Sequence, residues 1–335
     1  MSITQAVGLS VFSRAVSFVG ASRSPGASQR RTEVSVLKSG FAVSAIIPST
    51  GRAELAAAVN SVVSQTIAVR PIVVLDRPEM ESSVRSMLSS VDCLLVVTEG
   101  LGGAGARNVG IDRADTEFVA FLDDDDSWLP MKTEVQLEQL GASASRRVLA
   151  ASGMRFIRSR DEIVIPRRVP VSRDIGSYLV QRPRLRFGDN CVQSSSLLLR
   201  REFAQDVGWD VALKKHQDWD FIIRALEYES SELAWTSSPL VNVRQGTPGS
   251  ISRTRSWRDS LLFFEKHREH MSSRACADFL WTQILRSSFA TGDAAGIRFF
   301  VSRMGDGVPN LAAALVGVSG LASLRPLGTR FGVRR

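Results

Sequence analysis

The chain has 335 residues, 44% of them hydrophobic and 23% charged, with 42 Lys and Arg against 34 Asp and Glu and a formal charge of +8. That length and balance can bury a full core and exclude a fibrous or wholly disordered chain. The basic excess, with Arg well ahead of Lys, suits partners that carry phosphates or carboxylates; solvated Arg explains it equally well.

Residues 1–38 read as a basic leader, either flexible or an amphipathic targeting or membrane-surface segment. Arg14, Arg23, Arg30 and Arg31 stand there, and residues 1–31 hold no acidic residue. No stretch of the chain reaches the roughly 18–20 apolar residues of a spanning helix. VSAIIPS (43–49) has the length of a buried strand and stops at Pro48, Ser49, Thr50 and Gly51. Leu55, Val59, Val62 and Val63 then share one helical face across 53–65. A second apolar run over 70–78 ends at Asp76 and Pro78, a helix is predicted over 80–91, and a third strand over 93–99. Residues 100–114 begin Gly-rich and turn helical; they lack the GK[ST] ending of a P-loop. A fourth strand, 117–122, delivers Asp123, Asp124, Asp125 and Asp126 at its end.

This alternation predicts an α/β fold, a doubly wound, mostly parallel sheet covered on both faces. Ligands of such sheets bind beyond the carboxyl ends of the strands. Ser49–Arg52, Asp76 and Asp123–Asp126 all lie at such ends and should converge on one edge. Farther on, the pattern predicts a helix over 132–142, strands over 148–157 and 162–169, a strand and then a helix over 194–208, a helix over 216–230 and a strand over 232–245. Residues 256–303 are helical throughout. The apolar stretch 308–324 is interrupted by Gly317 and Gly320 and reads as a packing or membrane-surface helix, set off by Arg325 and Arg334–Arg335. Cys93, Cys191 and Cys276 have no metal-binding spacing and read as buried thiols of a reducing compartment.

Four adjacent carboxylates repel one another. Either they form a solvated turn, or carboxylates at D-x-D spacing share a hard divalent cation that bridges a diphosphate. Asp218 and Asp220 open the predicted helix at 216–230. There they act either as caps or, for Asp218, as a general base that the helix dipole keeps ionised. Trp128, Trp219 and Trp257 read as core aromatics rather than sugar platforms, and His216 is given no role.

In this order the segments AIIPSTGR, PIVVLDRP, GGAGARNVGIDRADTEFVAFLDDDDSWLP, SSSLLLRREFAQDVGWD and HQDWDFIIRAL resemble the family 2 glycosyltransferases over about 43–250. The resemblance implies a GT-A fold, with a nucleotide-sugar half (39–130), an acceptor half (131–250) and a helical C-terminal extension (251–335). It implies an inverting transfer of sugar from a nucleoside-diphosphate sugar to a hydroxyl of a glycan, lipid-linked or other acceptor, in cell-surface polysaccharide or glycoconjugate synthesis. Pro48, Ser49 and Arg52 would line the nucleotide pocket, Asp76 would read the base, and Arg107 would meet the donor phosphate or sugar. Asp123 and Asp124 would face the nucleotide, Asp125 with Asp123 would hold Mg²⁺ or Mn²⁺, and Asp218 would be the base. The chain departs from the family pattern at Thr50-Gly51, at Asp76-Arg77-Pro78 and at Gln217, where the family has Glu. The alternative reading is an inactive GT-A module that binds nucleotide or glycan as part of an assembly. A cytoplasmic location with peripheral contact on the inner face of the membrane is expected, and no nucleic-acid partner.

Overall fold

A computed structural model of the chain describes residues 41–158, 161–245 and 256–323; the predicted leader and the terminal arginines lie outside them. The first half alternates strictly: β1 (Val43–Ser49), α1 (Leu55–Val63), β2 (Val69–Leu75), α2 (Glu81–Met87), β3 (Leu94–Val97), α3 (Gly102–Arg113) and β4 (Phe118–Phe121). These strands are apolar on both faces because both faces are covered. In β1, Ile46 joins one core with Ile72, Val74 and Phe121, while Ala45 and Ile47 join the other with Leu55, Val59 and Val73. Continuous apolar runs, rather than alternating ones, are the consequence.

The second half is more irregular. It contains β5 (Ser127–Trp128), α4 (Lys132–Ala142), β6 (Val148–Ile157), β7 (Glu162–Ile165), α5 (Ile175–Val180), β8 (Leu198–Arg200), α6 (Arg201–Val207), α7 (Gln217–Glu227) and β9 (Glu232–Arg244). The sheet runs β3-β2-β1-β4-β8-β6-β9-β5, with β7 added on β6. β1 pairs in parallel with both β2 and β4, β2 with β3, and β6 with β9; the antiparallel β8 joins the halves. Parallel ladders carry most of the register, so the fold is α/β, as the GT-A resemblance implies, with C-terminal helices. Because β1 is flanked by β2 and β4, the strand order reverses there, and the carboxyl ends of all three open onto one crevice.

The C-terminal helices are α8 (Trp257–His267), α9 (Ser273–Phe279), a π-helical stretch over Leu280–Leu285, α10 (Arg286–Thr291), α11 (Ala294–Ser302) and α12 (Leu311–Val318). They share the core on the α3 face of the sheet, where Phe263 and Phe279 stack at 5.4 Å. None of the described helices is long and apolar enough to cross a membrane.

Two local departures from the predicted elements have simple causes. The strand predicted over 162–169 stops at Ile165, before Pro166, because proline cannot donate to the ladder. The strand predicted from 194 starts only at Leu198, since Ser194–Ser196 form a 3₁₀ turn closed by Ser196 Oγ donating to the Gln193 carbonyl at 2.7 Å. The Gly-rich run turns helical as expected, from Gly102 onward, with a cap that comes from the end of another strand.

Candidate active site

The tight turn after β1 depends on Gly51, whose φ of +82° suits a residue without a Cβ. A Cβ there would meet Met80 at 2.8 Å. The turn aims three groups at the acidic run after β4. Ser49 Oγ donates to Asp124 at 2.7 Å, the Thr50 amide approaches the same oxygen at 3.4 Å, and Arg52 donates to Asp125 at 3.2 Å. The opposite wall is the Ser194–Ser196 turn. Ser194 Oγ donates to Asp123 at 3.2 Å, and Ser195 Oγ donates to Asp126 at 2.7 Å while accepting from the Asp123 amide at 3.1 Å. The Arg244 amide of β9 donates to Asp126 at 3.2 Å.

Each of the four aspartates therefore has its own protein partner. Burial pushes Asp124 up from the usual carboxylate range, opposed by Ser49 and Arg52. Burial, with the Asp123 charge beside it, pushes Asp126 well up. Both shifts favour the neutral acid. Among the described residues, the four do not gather into a cluster of three carboxylate ligands. Asp123, whose side chain is 39% exposed, and Asp125, at 16%, face outward enough to meet a ligand.

Arg107, on α3, ties this turn to α7. Its Nη2 donates to Asp123 at 2.6 Å and its Nη1 to Gln217 at 3.3 Å, and the guanidinium lies 4.6 Å over the Trp209 ring. Its Nε is buried with no acceptor. The residues around Arg107 serve to hold it. Asn108 and Trp209 exchange side-chain and backbone hydrogen bonds of 2.9 and 2.8 Å, fixing the indole beneath the cation. Gly110 lets α3 lie on β1, since any Cβ there would overlap Ile46. The helix itself is capped from β2: Asp76 accepts from the Leu101 and Gly102 amides at 2.9 and 2.7 Å and from Thr98 Oγ1 at 2.9 Å.

Asp218 stands in the first turn of α7, beside Gln217. Part of its surface reaches solvent, but it lies deep in the fold. Burial pushes its carboxyl up to about 6, with the Asp123 charge adding, against the Trp219 amide and Arg107, which pull it down. Asp220, two residues on, is fully buried and goes the other way. Burial opposes its charge, yet hydrogen bonds from His267, Arg224 and Lys266 hold it far below the usual range. His216 is packing: its ring stacks on Trp219 at 4.7 Å, its Nε2 meets Ser260 at 3.0 Å, and burial, with Lys215, pulls it down to about 3.

The crevice thus brings Ser49, Arg52, Asp76, Arg107, Asp123, Asp124, Asp125 and Asp218 to one edge, while Pro48 lies within β1, paired with Val74. Sequence reasoning gave no role to Ser194, Ser195 or Trp209. The run SSS was a visible signal, but nothing in its spacing says that hydroxyls will face a turn about 70 residues earlier. Trp128 is buried and stacks with Lys132 at 4.0 Å, and Trp257 is buried against Phe299.

Residues 44–208, just under half of the chain, match the family model for glycosyl transferase family 2. The chain is 32% identical over 203 residues to the amylovoran biosynthesis glycosyltransferase AmsB of Erwinia amylovora, covering 58% of this chain and 64% of AmsB. It is 34% identical over 104 residues to WfgD of Escherichia coli, a UDP-Glc:alpha-D-GlcNAc-diphosphoundecaprenol beta-1,3-glucosyltransferase, covering 30% of this chain and 41% of WfgD. The chain therefore spans less than two thirds of each of these relatives. Its fold is similar to that of S. aureus TarS residues 1–349 crystallised with UDP-GlcNAc, with a TM-score of 0.51 at 15% identity, covering 84% of this chain and 81% of that one.

Proposed function

We propose that this protein is a metal-dependent, inverting glycosyltransferase of polysaccharide or glycoconjugate synthesis, taking a nucleoside-diphosphate sugar as donor. The observation that carries the reading is Asp218: a carboxyl raised to about 6, two side chains away from the acidic turn through Gln217 and Arg107. A base of that strength is ionised at neutral pH yet basic enough to take a hydroxyl proton. Asp218 draws the proton from the acceptor hydroxyl, whose oxygen attacks the anomeric carbon from the face opposite the nucleotide. Arg107, held on Asp123 and Gln217, brings its cation to the departing diphosphate, and Arg52 adds a second cation at the rim.

Asp123 and Asp125 fit a hard cation: all their donors are oxygens and both reach the surface of the crevice. Bound there, Mg²⁺ or Mn²⁺ would offset the charge that develops on the diphosphate. Ser49 and the Thr50 amide hold Asp124 back from that role and shape the nucleotide pocket. Asp76 has spent its carboxylate oxygens on capping α3, so base reading would use what lone pairs remain and the neighbouring backbone. That capping, together with Gln217, is what favours the second reading, an inactive module.

Donor turnover separates the two readings. Assayed with Mn²⁺ against a nucleotide-sugar panel, the chain should transfer or hydrolyse at least one donor, and D125N should lower that turnover by about 10²-fold or more. Nucleotide binding without turnover on any donor would support the inactive module instead.

A peripheral membrane contact belongs to the same proposal. Val308, Leu311, Leu315, Val318 and Leu321 are exposed around α12, a row of apolar side chains in a basic protein. Co-sedimentation with anionic vesicles should fall in L311E/L315E, and unchanged sedimentation would remove the membrane from the reading.

A further inference from the structure

We propose a second metal site, separate from the acidic turn, in which Glu227, His267 and His270 bind Zn²⁺ or a similar borderline divalent cation where the ends of α7 and α8 meet. One ligand atom from each of the three lies within 4.8 Å of the others. Glu227 closes α7, His267 closes α8, and His270 closes the single turn that follows. Between Glu227 and Asp218, α7 rises about 14 Å, so this site is not part of the crevice.

Three independent features point to a cation. The first is His267, which is 2% exposed. Its Nε2 is engaged by Asp220 at 2.8 Å, and its Nδ1 is buried with no partner. A carboxylate on one ring nitrogen fixes the proton there and leaves the lone pair on the other, the arrangement that orients metal-binding imidazoles. The charge on Asp220 is already matched by Arg224 and Lys266, so Asp220 serves to orient the ring.

The second is spacing. The His270 Nδ1–Glu227 Oε1 distance is 2.9 Å. Tetrahedral zinc, with bonds near 2.0–2.2 Å, places ligand atoms about 3.3 Å apart. The 2.9 Å pair is close to that value, and all three ligand atoms fall within 4.8 Å of one another, a spread that side-chain rotation can close.

The third is the field. Two helix C-termini converge here, and each carries a partial negative charge that disfavours a carboxylate such as Glu227 but favours a cation. Glu227 and His270 are 39% and 46% exposed, leaving an entry path and room for water as a fourth ligand. A metal here would staple the last turn of α7, whose first turn carries Asp218, to the C-terminal helices.

The full chain, stripped with chelator, would be titrated with Co²⁺ and with Zn²⁺, alongside E227Q, H270A and D125N. One equivalent of Zn²⁺ should raise the melting temperature by several degrees. Co²⁺ should give the intense visible absorption of a tetrahedral N/O site, which the oxygen-only turn at Asp123 and Asp125 cannot produce. E227Q and H270A should each weaken binding by about tenfold or more, and D125N should leave it unchanged. Both ligand variants sit at half-exposed positions, and their metal-free melting temperatures serve as the folding control. Undiminished binding in E227Q and H270A, a weak six-coordinate Co²⁺ spectrum, or loss of binding in D125N would each overturn the site.

Discussion

The acidic turn after β4 and the first turn of α7 are both crowded with aspartates, yet they manage their charge differently. On the turn, each carboxylate receives its own neighbour: Arg107 for Asp123, Ser49 for Asp124, Arg52 for Asp125, and Ser195 with the Arg244 amide for Asp126. In α7 the partners are shared unequally. Asp220 takes Arg224, Lys266 and His267, while Asp218 keeps little more than the Trp219 amide and is driven up to about 6. Two residues of the same type, two positions apart, become a permanent anion and a titratable base. Partners, rather than residue type or helix position, set the ionisation.

The sharpest break of that comparison is at Asp218. D218N should reduce transfer by about 10³-fold, in the range of a lost general base, with donor affinity little changed. Steady-state kinetics and nucleotide-sugar titration check it; full activity in D218N would remove the base assignment. D125N should come next, with a loss of about 10² or more in turnover that excess metal restores only in part.

Exchanging the loss of a base for the loss of an anion gives the contrasting result. D220N leaves Arg224 and Lys266 facing a buried neutral group and should destabilise the fold by about 3 kcal/mol in urea unfolding. D218N should do the opposite. Its folded pKa of about 6 lies above the ordinary 3.8, so the stability it contributes is complete below 3.8 and lost as pH rises through 6. At pH 7.5 the charge is a net cost, and D218N should gain about 1–2 kcal/mol. Equal stability changes in D218N and D220N would mean that the two carboxylates are equivalent after all.

The smallest effect is on pH dependence. Turnover should rise with pH through about 6, following ionisation of Asp218. R107A removes a cation that favours the charged form and should move that limb upward by about half a unit to one unit, as read from the kcat–pH profile.

Much of this was legible in the sequence. The apolar runs VSAIIPS and EFVAFL gave β1 and β4 because buried parallel strands need apolar residues on both faces. The rule that ligands collect at strand ends gathered Ser49, Asp76 and Asp123–Asp126 before any coordinates. Less legible was anything held by a distant partner. Residues 100–114 read as Gly-rich turning helical, but nothing in them says that Asp76, at the end of another strand, caps the helix. Ser194–Ser196 read as strand because their own hydroxyl bonds are invisible to periodicity. The helix α5 and the two-residue β5 had no pattern long enough to register.

The sequence by itself determined the alternation of strands and helices, the crevice at the β1 end and the residues that reach it, because those follow from period and polarity along the chain. Only the tertiary structure decided which aspartate is driven up and which is held down, which serine steadies the turn and which histidine is left with an open lone pair. Those properties depend on burial and on partners tens of residues away, and neither is written in local pattern.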